Sequence, residues 1–467
     1  MPVFYNYSEN YEKISSRFEV FCGNTKLGVY DCDVSAVPFN QVWPGYQRPF
    51  EQTEPTSYLS VGSNEEITLK ITPNTEFKEV VVRPLSKGVV ADVKDGSVTV
   101  TLPGAGQYSV VFDGMHNVLS VFVNPEKEFD VDADDENTLY FGAGVHYLEE
   151  CVELEDYQTV YIDKHAVVYG GFKAREKKGL RILGYGVLDC SNIERGNGNP
   201  ISLYRCENII VEGITIVNSN GWSVHFAGCT NVKADNIKLI GMWRYNSDGC
   251  DFTNCTNGVL VNSYLRNYDD CIVIKGLGGN GHLPVRNFLA ENCVLWCDWG
   301  RAIEIGAETS APSFSGVMFK NIDIIHGDAV MMDIQHGDKA NISDIYFDNI
   351  RAEYMAKVNC PKLQSAPGEV YKNEDENYMP LLFVVNTVRT MYSKDATTGN
   401  IKNVNFRNIS VHTEDGRIPC SNIAAKAPDS CIEGVYFENI EINGKKYVSL
   451  DELNVELGDG TSDVTIK

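Results

Sequence analysis

Apolar and polar residues alternate with a period of two along most of the chain, in short runs divided by Gly, Asn, Asp and Pro. This alternation predicts β-strands rather than helices. In the larger C-terminal part the runs repeat roughly every two to three dozen residues, which is typical of a solenoid. The repeating windows are NIIVEGITI from Asn208, NVKADNIKL from Asn231, GVLVNSYLR from Gly258, NFLAENCVL from Asn287, GVMFKNIDI from Gly316, DIYFDNIRA from Asp344, NVNFRNISV from Asn403 and GVYFENIEI from Gly434. The predicted fold is therefore all-β, with a right-handed parallel β-helix as its larger part.

An asparagine recurs at the sixth position of most of these windows. It is found at Asn236, Asn292, Asn321, Asn349, Asn408 and Asn439. Asparagine tolerates the left-handed backbone conformation that a tight turn between two short strands requires. Because the windows stack from coil to coil, we expect the side-chain amides to hydrogen-bond to one another in a ladder.

Residues 1–125 lie outside the repeat and hold short alternating runs such as EEITLKITP, GSVTVTLPG and NVLSVFVNP. Such runs, divided by turn residues, predict an antiparallel β-sandwich that precedes the β-helix. The acidic segment 126–137 is interpreted as a linker, and residues 138–467 as the catalytic β-helix domain. A second interruption of the repeat, at about 356–400, contains prolines and an acidic patch. Insertions of this kind leave a solenoid on one face, which is often the binding face.

The formal net charge of −24 argues against a nucleic-acid or anionic-membrane partner. No apolar stretch approaches the length of a membrane span. The N-terminus lacks the basic and then apolar pattern of a signal peptide, which favours a cytoplasmic protein, or a secreted one if a signal peptide has been removed. The 14 cysteines form no CxxC pair and are interpreted mainly as buried free thiols of a reducing compartment.

Acidic residues gather on neighbouring repeats. Asp248 lies in the run NSDGCD, and Asp269 and Asp270 lie in the run YDDC about one repeat later. Neighbouring strands of a sheet are roughly 4.8 Å apart, so Asp248 and Asp270 should be close. Like charges at such a distance raise at least one pKa, as a general acid requires. Clustered carboxylates are typical of acid and base catalysis, above all of glycoside hydrolysis.

Further candidates follow from aligning the strands by their inward apolar pairs, which are Val224/Phe226, Cys250/Phe252, Ile272/Ile274, Ile303/Ile305 and Met332/Ile334. The residue between each pair must point outward, and the residues just before and after it border the same face. The aligned positions and the aromatic residues nearby give a set of candidate substrate-binding residues: Asp251, Lys275, Arg301, Glu304, Asp333, His225, Trp243 and Trp299, with Tyr245 and Trp296 also beside the patch.

Several of these candidates have two interpretations. Arg301 is either a counter-ion for the acids or a substrate contact, and His225 is either a substrate contact or a structural histidine. The aromatic residues either stack on sugar rings or pack at the rim. Asp251 is a candidate for orienting the catalytic acids. His326, His336, Asp328 and Asp333 are too loosely spaced for a metal site, so we predict no metal and no cofactor.

The segments NSDG, YDDC and ILGYGVLDC (182–190) resemble the signatures of the polygalacturonase family, glycoside hydrolase family 28. The resemblance covers roughly 180–340. It implies that Asp269 is the general acid, that Asp248 and Asp270 together activate water, and that the reaction inverts the anomeric configuration.

The chain departs from that family at two places. Gly300-Arg301-Ala302 stands where the family has Gly-His-Gly, and Asp333-Ile334-Gln335 stands where it has Arg-Ile-Lys, whose cations bind the substrate carboxylate. The related dextranase and isopullulanase family, family 49, which the chain also resembles, has three acids, a preceding β-sandwich and no such cations. The resemblance therefore implies an inverting glycoside hydrolase acting on a neutral, dextran-like glycan.

Three alternatives stay open from the sequence: a polygalacturonase-type pectin hydrolase, a β-helix polysaccharide lyase, and a non-catalytic glycan-binding protein. In each of them the expected partner is an oligosaccharide or polysaccharide. Neither a nucleic acid nor a membrane is an expected partner.

Overall fold

The computed structural model describes residues 2–7, 10–41, 49–279 and 283–467. Within these ranges the regular elements are strands, apart from two single turns of 3-10 helix at Phe50–Gln52 and Leu85–Lys87. None of the described helices is long and apolar enough to span a bilayer. The predicted all-β class is confirmed.

The N-terminal part forms two sheets that face each other. The six-stranded sheet consists of Val3–Phe4, Tyr30–Ser35, Thr53–Gly62, Val80–Arg83, Gly106–Phe112 and Val118–Asn124. The five-stranded sheet consists of Phe18–Cys22, Thr25–Lys26, Ile67–Pro73, Ala91–Lys94 and Ser97–Leu102. Apolar residues of both sheets, including Val20, Leu69, Val98, Val110 and Val121, form one buried core. Every pairing is antiparallel except that of Leu119–Asn124 with Ser57–Gly62, which is parallel and departs from the predicted purely antiparallel pattern.

The second part is a parallel β-helix with two continuous sheets. The larger has 20 strands: Thr138–Phe141, Gly144–Tyr147, Thr159–Ile162, Ala166–Tyr169, Arg181–Gly184, Val187–Asp189, Glu207–Glu212, Thr215–Val217, Thr230–Asp235, Lys238–Ile240, Thr256–Val261, Tyr264–Asn267, Val285–Glu291, Val294–Cys297, Ser313–Gly327, Asn341–Tyr354, Ile401–Thr413, Ile432–Ile442, Lys445–Tyr447 and Thr461–Ile466. In the later coils the paired short strands give way to single long ones, such as Ser313–Gly327.

The smaller sheet of the helix has 11 strands, and it is this sheet that carries the acids. Its strands are Val152–Glu153, Phe172–Arg175, Ile201–Tyr204, Val224–Ala227, Cys250–Thr253, Ile272–Leu277, Arg301–Ser310, Val330–His336, Leu381–Thr387, Ser421–Ala425 and Val455–Leu457. The predicted inward pairs are in register, because Val224, Cys250, Ile272, Ile303 and Met332 follow one another as paired residues. All five are fully buried in the core that fills the helix.

Asparagine side chains form the predicted ladder along one edge of the helix. The Asn292 amide donates to Asn262 Oδ1 at 3.2 Å, and the Asn349 amide donates to Asn321 Oδ1 at 3.1 Å. The φ angles of the ladder residues lie in the left-handed region, as at Asn292 (58°). Asn236 is the exception to the prediction, because its amide group bonds to Asn124 and Gln107 of the N-terminal part instead. A second ladder, which was not predicted, joins Asn208, Asn231, Asn257 and Asn287.

The N-terminal part packs directly against the β-helix. A buried apolar cluster joins Tyr58 and Phe122 of the first part to Tyr264 and Trp296 of the helix. A separate two-stranded parallel sheet pairs Phe39–Gln41 with Lys362–Gln364, which belongs to the segment inserted between two coils. This small sheet brings residues of the N-terminal part to the face of the helix on which the acids lie.

Candidate active site

The three predicted catalytic acids lie in the bends that lead into two neighbouring strands. Asp248 precedes the strand Cys250–Thr253, while Asp269 and Asp270 precede the strand Ile272–Leu277. The two bends are joined through the backbone, since the Gly249 N–H donates to the Asp270 carbonyl at 2.7 Å. Because Asp269 and Asp270 lie in a bend and not within the strand, their side chains do not diverge to opposite faces. Both side chains line the same cavity.

This cavity has a volume of about 330 Å³, which is the size of a pocket for a small organic ligand. Seven of the predicted site residues line it: Asp248, Asp269, Asp270, Lys275, Trp299, Arg301 and Glu304. Further lining residues are Asn40, Gln41, Trp222, Tyr245, Asn246, Ala307, Glu308, Gln335, Leu363, Met391 and Tyr392. Three separate parts of the chain therefore build the walls: the helix, the N-terminal part and the insertions.

Gly300 allows the two neighbouring aspartates to converge. A Cβ atom at this position would lie 2.3 Å from Asp270 Oδ1 and 2.8 Å from Asp269 Oδ1, so any larger residue would displace both. Because both carboxylate oxygens lie so near the same point, they must also lie near each other. Their separation is below the roughly 6.5 Å at which an inverting enzyme holds its acid and base apart so that a water fits between them. There is therefore no water-sized gap between these oxygens of Asp269 and Asp270.

The two oxygens of Asp248 have different surroundings, and the residue lines the cavity. Its Oδ2 atom accepts a hydrogen bond from Lys275 Nζ at 3.0 Å. Its Oδ1 atom is buried and has no hydrogen-bond partner among the described residues. Burial raises the pKa of Asp248 to about 6; the charge of Asp270 adds to this effect and Lys275 opposes it. Asp248 therefore keeps one carboxylate oxygen that no described residue satisfies.

Asp251 lies beneath this pair and does not line the cavity. It is fully buried, and its Oδ1 atom lies 3.4 Å from Lys275 Nζ. Burial, together with the nearby charge of Asp248, raises the pKa of Asp251 well above its ordinary value. The prediction that Asp251 binds substrate is therefore wrong, whereas its position beneath Lys275 agrees with the alternative role of orienting the acids. Lys275 also packs on the ring of Trp222 at 4.2 Å, so its contacts are with the protein.

Asp270 has its hydrogen-bonding capacity largely filled. Its Oδ1 atom accepts the backbone N–H of Arg301 at 2.7 Å and lies 3.7 Å from Arg301 Nη1. A side-chain hydrogen bond also joins it to Glu304. Although burial acts to raise it, the pKa of Asp270 is lowered by this bond and by the charge of Arg301. Burial and the charge of Asp270 raise the pKa of Glu304 well above its usual range, so Glu304 is the donor in the pair.

Arg301 links this pair to the next coil. Its Nε atom lies 3.3 Å from Asp333 Oδ2, and Asp333 itself is buried outside the cavity. Asp333 was predicted to contact substrate, and the structure places it as a partner of Arg301 instead. Arg301 is thus a counter-ion, as one of its two interpretations proposed, yet its side chain is 30% exposed and lines the cavity.

Asp269 has a different environment from either of its neighbours. It is 8% exposed and lines the cavity. Burial raises its pKa well above the ordinary value, and the charges of Asp270 and Asp248 add to this effect. Asp269 is thus the carboxyl of the three that most strongly keeps its proton, as a general acid must.

Two other predicted contacts lie away from the cavity. His225 hydrogen-bonds to Thr253 Oγ1 at 3.1 Å, and its ring lies edge-on to Trp222. These contacts agree with the interpretation of His225 as a structural histidine. Burial and the charge of Lys275 lower its pKa to about 3, which keeps it neutral. Trp243 packs against Phe50 and is absent from the lining residues. Trp299 does line the cavity, as predicted.

Trp296, expected beside the acids, lies instead at the boundary between the two parts of the molecule. It is fully buried there, and Arg266 stacks on its ring at 4.2 Å. Its indole N–H donates to Asp298 at 2.6 Å. Its position on the larger sheet, and not in a bend before the smaller one, explains why it cannot reach the cavity.

Several wall residues escaped the sequence-based prediction. Tyr392 and Met391 follow the strand Leu381–Thr387, and Asn40 and Gln41 come from the N-terminal part. The only signal for the first two was the position of the insertion on the binding face. No signal pointed to Asn40 and Gln41, since the packing of one domain on another has no local pattern. Among the described residues, no group of three or more His, Cys, Asp or Glu is arranged to hold a metal ion.

Comparison with known proteins points to one group. The signature of glycosyl hydrolases family 28 matches residues 184–361, a segment that contains all three aspartates. A probable endopolygalacturonase D of Neosartorya fischeri is 26% identical over 169 residues, which are 36% of this chain and 32% of that protein. A polygalacturonase of Malus domestica is 26% identical over 239 residues, which are 48% of this chain and 49% of that protein. The chain thus spans about a third to a half of the length of these curated relatives.

The solved structure of Dex49A from Penicillium minioluteum superposes over 97% of this chain and 94% of its own, with a TM-score of 0.68. Sequence identity in that superposition is 15%, so the likeness concerns the fold, including the N-terminal sheets before the helix. The family signature and the fold agree with each other and with the predicted resemblance. Over residues 184–361 the chain is therefore similar to glycosyl hydrolases family 28, and its fold is similar to that of Dex49A.

Proposed function

We propose that this protein is a glycoside hydrolase that cleaves O-glycosidic bonds of an oligosaccharide or polysaccharide. Asp269 is the general acid in this proposal, and Asp248 with Asp270 activates the attacking water. The observation that carries it is the convergence of Asp248, Asp269 and Asp270 on the wall of one cavity. A water held there has a base on one side and a protonated carboxyl nearby, which are the two groups that hydrolysis requires.

The contacts of Asp270 favour inversion over retention. A retaining enzyme needs a carboxylate whose oxygen is free to attack the anomeric carbon. Asp270 instead accepts hydrogen bonds from the backbone N–H of Arg301 and from Glu304, and it lies 3.7 Å from the Arg301 guanidinium. Its remaining capacity suits the orientation of a water shared with Asp248. Proton NMR of the first-formed product should show the anomer opposite to that of the cleaved linkage, and the same anomer would overturn inversion.

The charges around the cavity favour a neutral glycan. Five of the lining residues are acidic: Asp248, Asp269, Asp270, Glu304 and Glu308. Each of the two cations is already paired with two carboxylates, Lys275 with Asp248 and Asp251, and Arg301 with Asp270 and Asp333. A uronate carboxylate would have to enter this acid-lined cavity, in which both lining cations already have carboxylate partners.

A galacturonan is the second candidate substrate, and two observations favour it. The curated relatives are named as polygalacturonases, and the family signature includes the three aspartates. The Arg301 side chain is part-exposed at the cavity and is the group that a substrate carboxylate would contact first.

Hydrolysis of a substrate panel tests the proposal. Dextran, other neutral α- and β-glucans and polygalacturonate would be incubated separately with the full chain, and new reducing ends and unsaturated products would be measured. We expect reducing ends from a neutral glucan and little from polygalacturonate. Faster release from polygalacturonate would select the second candidate. Unsaturated products, or no hydrolysis of any glycan, would reject the proposed function.

A further inference from the structure

A hydrogen bond joins two tyrosines in the wall of the cavity that the acids line. Tyr245 lies in the bend that leads to Asp248, and Tyr392 lies in the segment after the strand Leu381–Thr387. Three strands of the smaller sheet separate the coils to which these bends belong. Even so, the side chains of the two tyrosines are hydrogen-bonded, and both line the cavity.

The segment that carries Tyr392 reaches this position because it folds back over the earlier coils. Val388 N–H donates to the carbonyl of His336, one coil back, at 2.8 Å. Asp395 bonds to the backbone N–H of Lys339 at 3.3 Å and, through its side chain, to Ser310 on the coil before. The segment therefore runs against the direction of the helix and passes over the coils that carry Arg301 and Gln335.

A buried carboxylate fixes this segment in place. Asp338 is fully buried, and its Oδ1 atom accepts the backbone N–H groups of Lys394 and Asp395 at 2.5 and 2.7 Å. Its Oδ2 atom accepts the N–H of Thr309 at 2.9 Å, which anchors it to the sheet. Charge-assisted hydrogen bonds of this kind are about twice as strong as neutral ones. They hold the segment that carries Tyr392 in place as part of the cavity wall.

Tyr245, the other residue of the hydrogen-bonded tyrosine pair (the Tyr245–Tyr392 bridge), is also held in place. The Arg195 guanidinium lies 5.2 Å from the centre of the Tyr245 ring and donates to the Tyr245 carbonyl. It also donates to the Asn220 carbonyl at 3.1 Å, which ties the bend to the preceding coil.

A second closure comes from the two-stranded sheet between Phe39–Gln41 and Lys362–Gln364. The Gln41 side chain donates to Gln364 Oε1 at 2.7 Å, and both residues are buried. Asn40, Gln41 and Leu363 line the cavity. The cavity is thus walled by the N-terminal part and by the insertions as well as by the helix.

We infer that the Tyr245–Tyr392 bridge and the small sheet close the cleft into a pocket that admits a glycan only by one chain end. The protein then acts from that end and releases a short product of constant length, and it does not cut within a chain. This inference rests on the proposed function for the cleavage step, but the end-selective binding follows from the walls alone.

Two measurements on the full chain test it. With dextran as substrate, or with polygalacturonate if that is the polymer hydrolysed, viscosity should stay nearly constant while reducing ends accumulate, and one short product should dominate from the start. With the inactive Asp269→Asn variant, binding of isomalto- and galacturonate oligosaccharides would be compared before and after chemical blocking of each end. Blocking one of the two ends should weaken binding at least about tenfold, and blocking the other should have little effect.

Variants of the bridge sharpen the test. Tyr392→Ala removes the ring that crosses the cavity, and Tyr392→Phe removes only the hydroxyl. We expect Tyr392→Ala to recover binding of the blocked oligosaccharide by about tenfold or more, with an intermediate effect for Tyr392→Phe. Tyr436→Phe is the matched control, because Tyr436 bonds to Asp463 at 2.5 Å on the other sheet of the helix.

The outcomes separate the pocket from the catalytic proposal. A rapid fall in viscosity, or equal binding of free and blocked oligosaccharides, would overturn the pocket and leave the hydrolase intact. End-selective binding without hydrolysis of any glycan of the panel would keep the pocket and reject the hydrolase. No binding of any oligosaccharide by the folded protein would reject both.

Discussion

Asp248, Asp269 and Asp270 are the same residue type, and their surroundings make them chemically different. Lys275 partly offsets the effect of burial on Asp248, while Glu304 and Arg301 lower the pKa of Asp270. Asp269 keeps a strongly raised pKa because the two neighbouring charges add to its burial. Pairs of carboxyls with opposite pKa shifts are what acid and base roles require of residues that share one site.

Substitution of Asp269 tests its role as the acid. Asp269→Asn is almost isosteric, so folding should persist, but the amide cannot donate a proton to the leaving oxygen. We expect kcat to fall by about 100-fold or more, measured on the glycan that the panel identifies. Asp134→Asn, in the exposed acidic segment, is the control and should have wild-type activity. An Asp269→Asn enzyme that keeps more than about a tenth of the rate would contradict the assignment.

The protonated state of Glu304 gives a second prediction. Glutamine can donate a hydrogen bond to Asp270 much as a protonated glutamate does, whereas alanine cannot. We therefore expect Glu304→Gln to keep activity within a few-fold of wild type and Glu304→Ala to lose about tenfold or more, because Asp270 would lose a buried partner. The ratio of kcat/KM for the two variants measures the effect. Equal losses in both would show that a negative charge at Glu304 is needed.

The pH dependence of the rate should report Asp248. Its pKa is raised to about 6, and it must be ionised to accept a proton from water. As the pH falls through about 6, Asp248 becomes protonated and kcat/KM should decline; at higher pH the rate should hold until Asp269 loses its proton. A kcat/KM profile measured on the best substrate checks this. An acidic limb near 4, the ordinary value for aspartate, would contradict it.

The sequence predicted these three residues because register on a repeating fold can be read from a pattern of period two. The same register placed Asp251, Glu304 and Asp333 in one row, and the structure keeps that row. It could not predict which members of the row face the cavity, since Lys275 and Arg301 cover Asp251 and Asp333 through side-chain contacts that have no sequence period.

At the scale of elements, each asparagine of the ladder has two roles: its backbone adopts the left-handed conformation of the turn, and its side chain hydrogen-bonds to the neighbouring coils. Asn292 has a φ of 58° and bonds to Asn262 below it and to Asn321 above it. The recurrence of Asn was readable from the sequence because each coil needs the same turn. The absence of Asn236 from the ladder could not be predicted from the sequence, because it follows from the hydrogen bonds of Asn236 to Gln107 and Asn124 of the N-terminal part.

Two substitutions of Asn292 separate these contributions. Asn292→Gly removes the ladder bonds but keeps the left-handed conformation accessible. Asn292→Ala removes the bonds and also strains the backbone. We expect the alanine variant to be less stable than the glycine variant by about 1 kcal/mol in urea unfolding, since an alanine in this region costs about 1–2 kcal/mol. Equal free energies of unfolding would mean that the bonds alone matter.

At the scale of the whole molecule, the N-terminal part contributes to the site as well as to the fold. Its strand Phe39–Gln41 pairs with an insertion of the helix, and Asn40 and Gln41 line the cavity. The sequence predicted both parts from their strand patterns. It gave no account of their contact, because an interface is fixed by the complementarity of surfaces that are distant in sequence.

A buried ion pair at that contact offers a test of how firmly the two parts are joined. Arg83 of the N-terminal part is 3% exposed; it pairs with Glu353 of the helix, which is 4% exposed, and with Glu414 at 2.6 Å. Arg83→Met would leave the buried Glu353 without its cation, which typically destabilises a protein by about 3–5 kcal/mol. We expect a lower thermal unfolding midpoint and, because Asn40 and Gln41 reach the cavity from the same N-terminal part, a parallel loss of activity.

The double variant Arg83→Met with Glu353→Gln is the decisive control. Replacing the carboxylate by an amide removes the unpaired charge, so the double variant should regain part of the stability that the single variant loses. If the single variant were destabilised by less than about 1 kcal/mol, the pair would behave like a solvent-exposed one. The apolar cluster around Phe122 and Tyr264 would then be what holds the two parts together.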